Sequence, residues 1–175
     1  MTIFVQEAAT LFVGDHDPIN SKHLTLKNHR LPTLEEGYED HTPGGGYVGI
    51  EVGTGKINKL ESSFGLNGED PRLLSQFGFG SRKPLQFFSY GVIRDLRTGE
   101  ALEGRATLVG YLGSIEPDEY SPGAAKGGSY GIKGITSYEL SFDGDEKFFF
   151  DFWTNTVRID GANVRQAENS ILRLG

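Results

Sequence analysis

The chain has 175 residues and a net charge of −7, with 17 Lys and Arg against 24 Asp and Glu; that length suits one core of ordinary size, and the acidic balance argues against a surface that grips nucleic-acid phosphates. With 37% hydrophobic and 23% charged residues and no cysteine, the composition excludes a disordered chain, a disulfide framework, a thiolate nucleophile and a cysteine zinc site. Glycine stands apart: 25 of the 175 residues, without a triplet period, are about twice the usual share and mark a turn-rich chain rather than collagen.

Residues Met1 to Glu7 lack the basic and apolar blocks of a signal peptide, and no later apolar run approaches the roughly 18 residues of a membrane span. A soluble chain with no membrane contact is expected. Leu11–Val13 and Leu24–Leu26 read as short strands, and Pro32 to Gly46 carries no periodic signal. From Tyr47 to Gly53 the apolar residues Val48, Ile50 and Val52 alternate with Gly49, Glu51 and Gly53, the pattern of a half-buried strand. A turn at Thr54-Gly55 and a second alternating run from Lys59 to Leu66 predict a long antiparallel hairpin over 47–66.

One helix is expected next. Asp70 supplies a capping carboxylate, Pro71 fits the first helical position, and Leu73, Leu74 and Phe77 form a stripe that stops at Gly78. Strands follow near 84–94, 103–113, 132–142 and 147–153, with turns at Arg97–Gly99 and Asp143–Asp145 and a long acidic loop from Glu116 to Ser129. The fold class is mainly β (α+β): an antiparallel sandwich or barrel-type protomer with one short flanking helix and one long hairpin.

Motifs that suggest chemistry lack their context. Gly44-Gly45-Gly46-Tyr47-Val48-Gly49 fits a dinucleotide pattern but opens a strand, not a helix. Gly53-Thr54-Gly55-Lys56 lacks the preceding glycine and following hydroxyl of a phosphate loop. Glu116, Asp118 and Glu119 read as a solvated acidic loop before a glycosidase pair, and His16, His23, His29 and His41 have no metal-binding spacing. No catalytic residue, metal or cofactor is expected. Phe148-Phe149-Phe150 puts rings on both faces of one strand, so the second face needs a cover, from a neighbouring subunit or from the short helix.

Certain residues recur in a telling order. They are Leu24-Thr-Leu26 with Leu31-Pro32 and Tyr38, Gly44-Gly45 before Val48–Gly53, and Leu60–Phe64 with Gly68. The second half adds Gly110, Ile115-Glu116, Gly123, Lys126-Gly127, Tyr138–Leu140, Asp143-Gly144, Asp151, Asn155, Ile159–Gly161 and Leu174-Gly175. From about Leu11 to Gly175 the chain resembles the major tail tube proteins of contractile-tailed bacteriophages. It departs from them at Gly46, where members often carry Met, and at Ala162-Asn163, where valine and aspartate are usual.

The resemblance implies two antiparallel sheets, a flanking helix and a long hairpin, in hexameric rings stacked into a helical tube inside a contractile sheath. Its implied partners are further copies of itself, the tail sheath protein, the tape measure protein, and baseplate and terminator proteins. DNA passes through without specific binding. The implied location is the virion tail, with assembly in the host cytoplasm. In such tubes the segment matching 38–66 reaches the adjacent ring, which makes Tyr38, Gly44, Gly45, Gly46, Tyr47, Thr54 and Gly55 the inter-ring candidates. A bore lined by alternating strands would take its polar side from this hairpin, with Glu51, Lys59 and Glu61 facing the lumen. Tubes of phage-derived bacteriocins or secretion machines are the alternative, and a carbohydrate-binding β-sandwich or a hydrolase built on the Glu116 loop are readings from other classes.

Overall fold

The computed structural model describes residues 2–78 and 82–174; the terminal match at Gly175 lies outside them. Strand accounts for 54% and helix for 9%, so the fold is mainly β, with antiparallel sheets as expected. The N-terminal strand β1 (Phe4–Val13) runs ten residues, extending the short strand read at Leu11–Val13 toward the N-terminus. It is followed by β2 (Leu26–Arg30), β3 (Glu36–His41), β4 (Ile50–Ile57) and β5 (Ser62–Leu66). A short helix α1 (Pro71–Ser75) leads to four long strands, β6 (Leu85–Asp95), β7 (Ala101–Pro117), β8 (Gly128–Phe142) and β9 (Asp145–Asp151). The C-terminal part holds β10 (Thr156–Ile159), β11 (Ala162–Asn163) and a second helix, α2 (Gln166–Leu172).

The long strands form where the alternation is strongest, and Asp143 and Gly144, both at positive φ, make the two-residue turn between β8 and β9. Hydrogen bonding runs through one nine-stranded sheet in the order β1-β6-β7-β8-β9-β10-β11, with β5 and then β2 attached to the other end of β8. Gly128–Ile132 of β8 pairs with β5, whereas Ser137–Phe142 pairs with β9. Between these halves the β7–β8 register slips at Val109/Tyr111 and at Leu112/Ser114. Such bulges bend a ladder, and Gly134 at φ +58 lies on the facing strand.

The halves share one core. Leu11, Phe87, Leu108, Tyr138 and Phe148 from one meet Phe64, Leu66, Leu112 and Ile132 from the other, with the Phe64 and Tyr130 rings stacked at 5.0 Å. The helix α1 begins as expected, with Asp70 accepting from the Arg72 N–H at 3.0 Å. It contributes Leu73 alone to the core, while Leu74 and Phe77 of the expected stripe stay half exposed.

Four sequence expectations are corrected. The hairpin over 47–66 does not form: β4 pairs with β3, and β5 pairs with β2 and β8. Thr54-Gly55 is a bulge inside β4, since Glu36 faces Ile57 while Tyr38 faces Gly53. Buried Leu60 then carries the chain into the main sheet. The long hairpin is therefore β3–β4, and β3 lies in the segment read as loop. A second helix, α2, joins the one expected, starting at Arg165 without a side-chain cap. Finally, the cover that the chain itself places on Phe149 is the Arg158 guanidinium, 3.7 Å above the ring, rather than the short helix.

Candidate interaction surface

The β3–β4 hairpin is a two-stranded arm that, among the described residues, pairs with no other strand. Every residue from 38 to 59 is exposed. Its composition explains why it stands alone: Glu36, Glu39 and Asp40 charge one strand, and Gly49, Gly53 and Gly55 thin the other, leaving too little apolar volume to bury. A lone hairpin is at best marginally stable in water. At its base Thr54 Oγ1 donates to the Gly37 carbonyl at 2.9 Å, the Asn58 N–H to the Glu35 carbonyl at 2.8 Å and Arg165 Nη1 to the Gly55 carbonyl at 3.2 Å.

All seven expected inter-ring residues lie on this arm. Tyr38 projects from β3, its hydroxyl donating to Glu36 Oε2 at 3.3 Å. That carboxylate holds the Tyr38 hydroxyl pKa above its ordinary value. Gly44 and Gly45 form the tip with open space around them, Gly46 turns against Pro43, and Tyr47 is wholly exposed. Gly55, at φ +66, makes the bulge beside Thr54. Val48, Ile50 and Val52, read from sequence as a buried face, are instead 73%, 59% and 47% exposed. The arm carries an apolar stripe that the described residues leave largely exposed, and such stripes mark contact surfaces.

The three lumen candidates separate. Glu51 sits on the arm opposite Asp40, whereas Lys59 and Glu61 lie at the rim of a polar trough of about 690 Å³ on the outer face of β5, β8 and β7. Ser63, Ser114, Ser129 and Gly131 form its floor. Lys133, which sequence reasoning missed, completes the rim: Glu61 accepts from Lys133 at 2.9 Å and from Lys59 at 3.0 Å. These two ammonium groups, Lys133 first, hold the Glu61 carboxyl below its usual range. Lys133 lies seventy residues along the chain, and only the β5–β8 pairing brings it here.

Groups with perturbed titration elsewhere serve the fold. His29 stands between the halves, Nδ1 at 3.0 Å from Ser89 Oγ and Nε2 at 3.5 Å from Ser62 Oγ, and burial lowers its pKa to about 4. Burial opposes ionisation of Asp70, but the Lys22 ammonium and the helix N–H groups outweigh it and leave the pKa lowered. Glu116, Asp118 and Glu119 are exposed. His16 stacks on Phe88 at 3.7 Å, and among the described residues no three His, Asp or Glu side chains are grouped to hold a metal.

An exposed acidic arm with an apolar stripe, beside a bent antiparallel sheet, is the equipment of a subunit that contacts other chains. A family model described as phage tail tube protein FII matches residues 19–172. A search of curated proteins finds no match.

Proposed function

The chain belongs to the phage tail tube protein family, a structural component of the virion tail that self-assembles into a tube, and from that premise we propose that six copies close into a ring, that rings stack inside a contractile sheath, and that the genome leaves through the bore. The role is structural, without catalysis. The observation that carries this reading is the arm: about 20 Å of paired backbone, at roughly 3.3 Å per strand residue, with an apolar stripe that the described residues leave exposed. A surface that fits a different surface on the next copy propagates without closing along an axis, and an open tube is the result.

In this reading the arm bridges to the adjacent ring through Tyr38, Gly44, Gly45, Gly46, Tyr47, Thr54 and Gly55. The polar trough with Lys59 and Glu61 faces the bore, and Glu51 enters it from the arm. The net charge of −7 per chain, repeated around every ring, keeps DNA from adhering. The tape measure protein occupies the bore before ejection, the sheath protein wraps the outside, and baseplate and terminator proteins close the ends. Assembly takes place in the host cytoplasm.

Negative-stain electron microscopy of the concentrated protein, with sizing of the same sample, tests the reading. Hollow six-fold rings or uniform tubes support it. A compact dimer that never forms rings would overturn it.

A further inference from the structure

Resting on the tube reading, we propose that the free edge of β1 takes β4 from the arm of a copy in the adjacent ring as an added strand. Among the described residues β1 pairs with β6 on one side and with no strand on the other. Along its other side the Leu11 carbonyl is capped by the Lys22 N–H at 2.9 Å, and the stretch from Phe4 to Ala8 is exposed. That stretch has no proline and no lysine, and its one charge, Glu7, is turned to Arg94 at 2.8 Å. One irregularity interrupts it, between Gln6 and Ala8, and an edge otherwise so lightly blunted is a template for strand addition.

Both faces beside the edge are hollowed. On the core side a cavity of about 420 Å³ opens between Phe4, Leu31, Ile93 and Phe142, with Gly91 and Gly104, directly opposed in the ladder, among its lining residues. On the other side a cavity of about 470 Å³ is lined by Ala8, Tyr90, Val92 and Leu102. An added strand sends successive side chains to opposite faces. β4 supplies that alternation, with Ile50 and Val52 for the first hollow and Glu51 and Gly53 on the opposite face, while Tyr47 and Val48 lie in the tip that precedes it.

Charge selects β4 over β3. Pairing through β3 would bring Glu36, Glu39 and Asp40 toward Glu7, whereas β4 carries Glu51 and Lys56 and no net charge, and like charges across a ladder are disfavoured. The same contact gives a third strand to an arm that is marginal alone.

The chain has no cysteine, so introduced thiols report without background. Differently tagged Val5→Cys protein is co-assembled in turn with Ile50→Cys, Val52→Cys and Thr54→Cys protein, then oxidised. A mixed-tag disulfide is expected in tubes at one of the three positions and not in unassembled protein. Hydrogen exchange on the wild-type protein, which needs no variant to assemble, is expected to slow at least tenfold across both 4–9 and 50–57 on tube formation. Wild-type tubes in which residues 4–9 stay unprotected, or assembled variants with no mixed disulfide, would overturn the strand addition and leave the tube reading standing. A wild-type protein that forms neither rings nor tubes would overturn both.

Discussion

Arg165, the residue that opens α2, donates from Nη1 to the carbonyl of Gly55 at 3.2 Å, and so ties the C-terminal helix to the base of the arm across 110 positions of sequence. The acceptor is available because Gly55 sits at φ +66, in a bulge that interrupts the β3–β4 ladder.

Arg165→Ala is expected to loosen the arm without unfolding the main sheet. The bond is exposed, so global stability should fall by less than about 1 kcal/mol. Amide exchange in 50–57 should speed up several-fold while β6–β8 is unchanged. Equal exchange in the arm of both proteins would show that the bond does not hold it.

The Arg158 guanidinium covers the Phe149 ring and donates twice to Glu146, at 2.9 and 2.6 Å. Arg158→Ala should cost about 1–2 kcal/mol in chemical denaturation, from the ring contact plus the paired carboxylate. Arg158→Lys should recover less than half, because an ammonium cannot match the planar fork. A fully stable lysine variant would show that charge alone suffices.

His29 gives a pH dependence with a definite sign. Its folded pKa, lowered to about 4 by burial, lies below the 6.5 of the unfolded chain, so the unfolded state binds the proton first as pH falls. The stability it leaves intact above pH 6.5 should decline between 6.5 and 4, by as much as about 3 kcal/mol, and level off below. His29→Gln should remove this part of the decline. An unchanged profile in the variant would assign the acid sensitivity to the carboxylates, whose lowered pKa values at Asp70 and Glu146 lose their contribution as pH falls through those values.

Glu51→Lys with Glu61→Lys tests the charge of the proposed bore. In the trough a lysine at 61 would face Lys59 and Lys133 and make that rim strongly positive. Tubes of the double variant should retain DNA at low salt and release it as salt rises, since screening acts over about 8 Å at physiological ionic strength. Ejection and DNA retention unchanged at every salt concentration would remove these positions from the lumen.

Much of the main sheet is legible in the sequence, because β6 to β8 bury one face more than the other and print that burial as alternation, while β9 is marked by its run of Phe. The arm is not legible in the same way. Val48, Ile50 and Val52 carry an alternation that means burial, yet the face they make is exposed in the single chain, and β3 is polar on both faces and prints no period. Gly55 signals a turn as readily as a bulge, and only the pairing partner decides between them. Lys133 joins Lys59 and Glu61 through a ladder that no local pattern reveals. The helix α2 lacks a capping side chain at Arg165 and buries a polar residue, Asn169, which is held by the Asn155 amide at 2.7 Å; neither feature resembles a helix start or an apolar stripe.

The most direct test of the account replaces the tip, residues 42–49, with a two-residue Asn-Gly turn, which keeps β3 and β4 paired but removes the reach. Sedimentation and electron microscopy of this protein, beside wild type, should show a folded subunit with an unchanged melting temperature that forms at most isolated rings. Tubes of normal length and abundance from the shortened arm would contradict the claim that the arm joins one ring to the next.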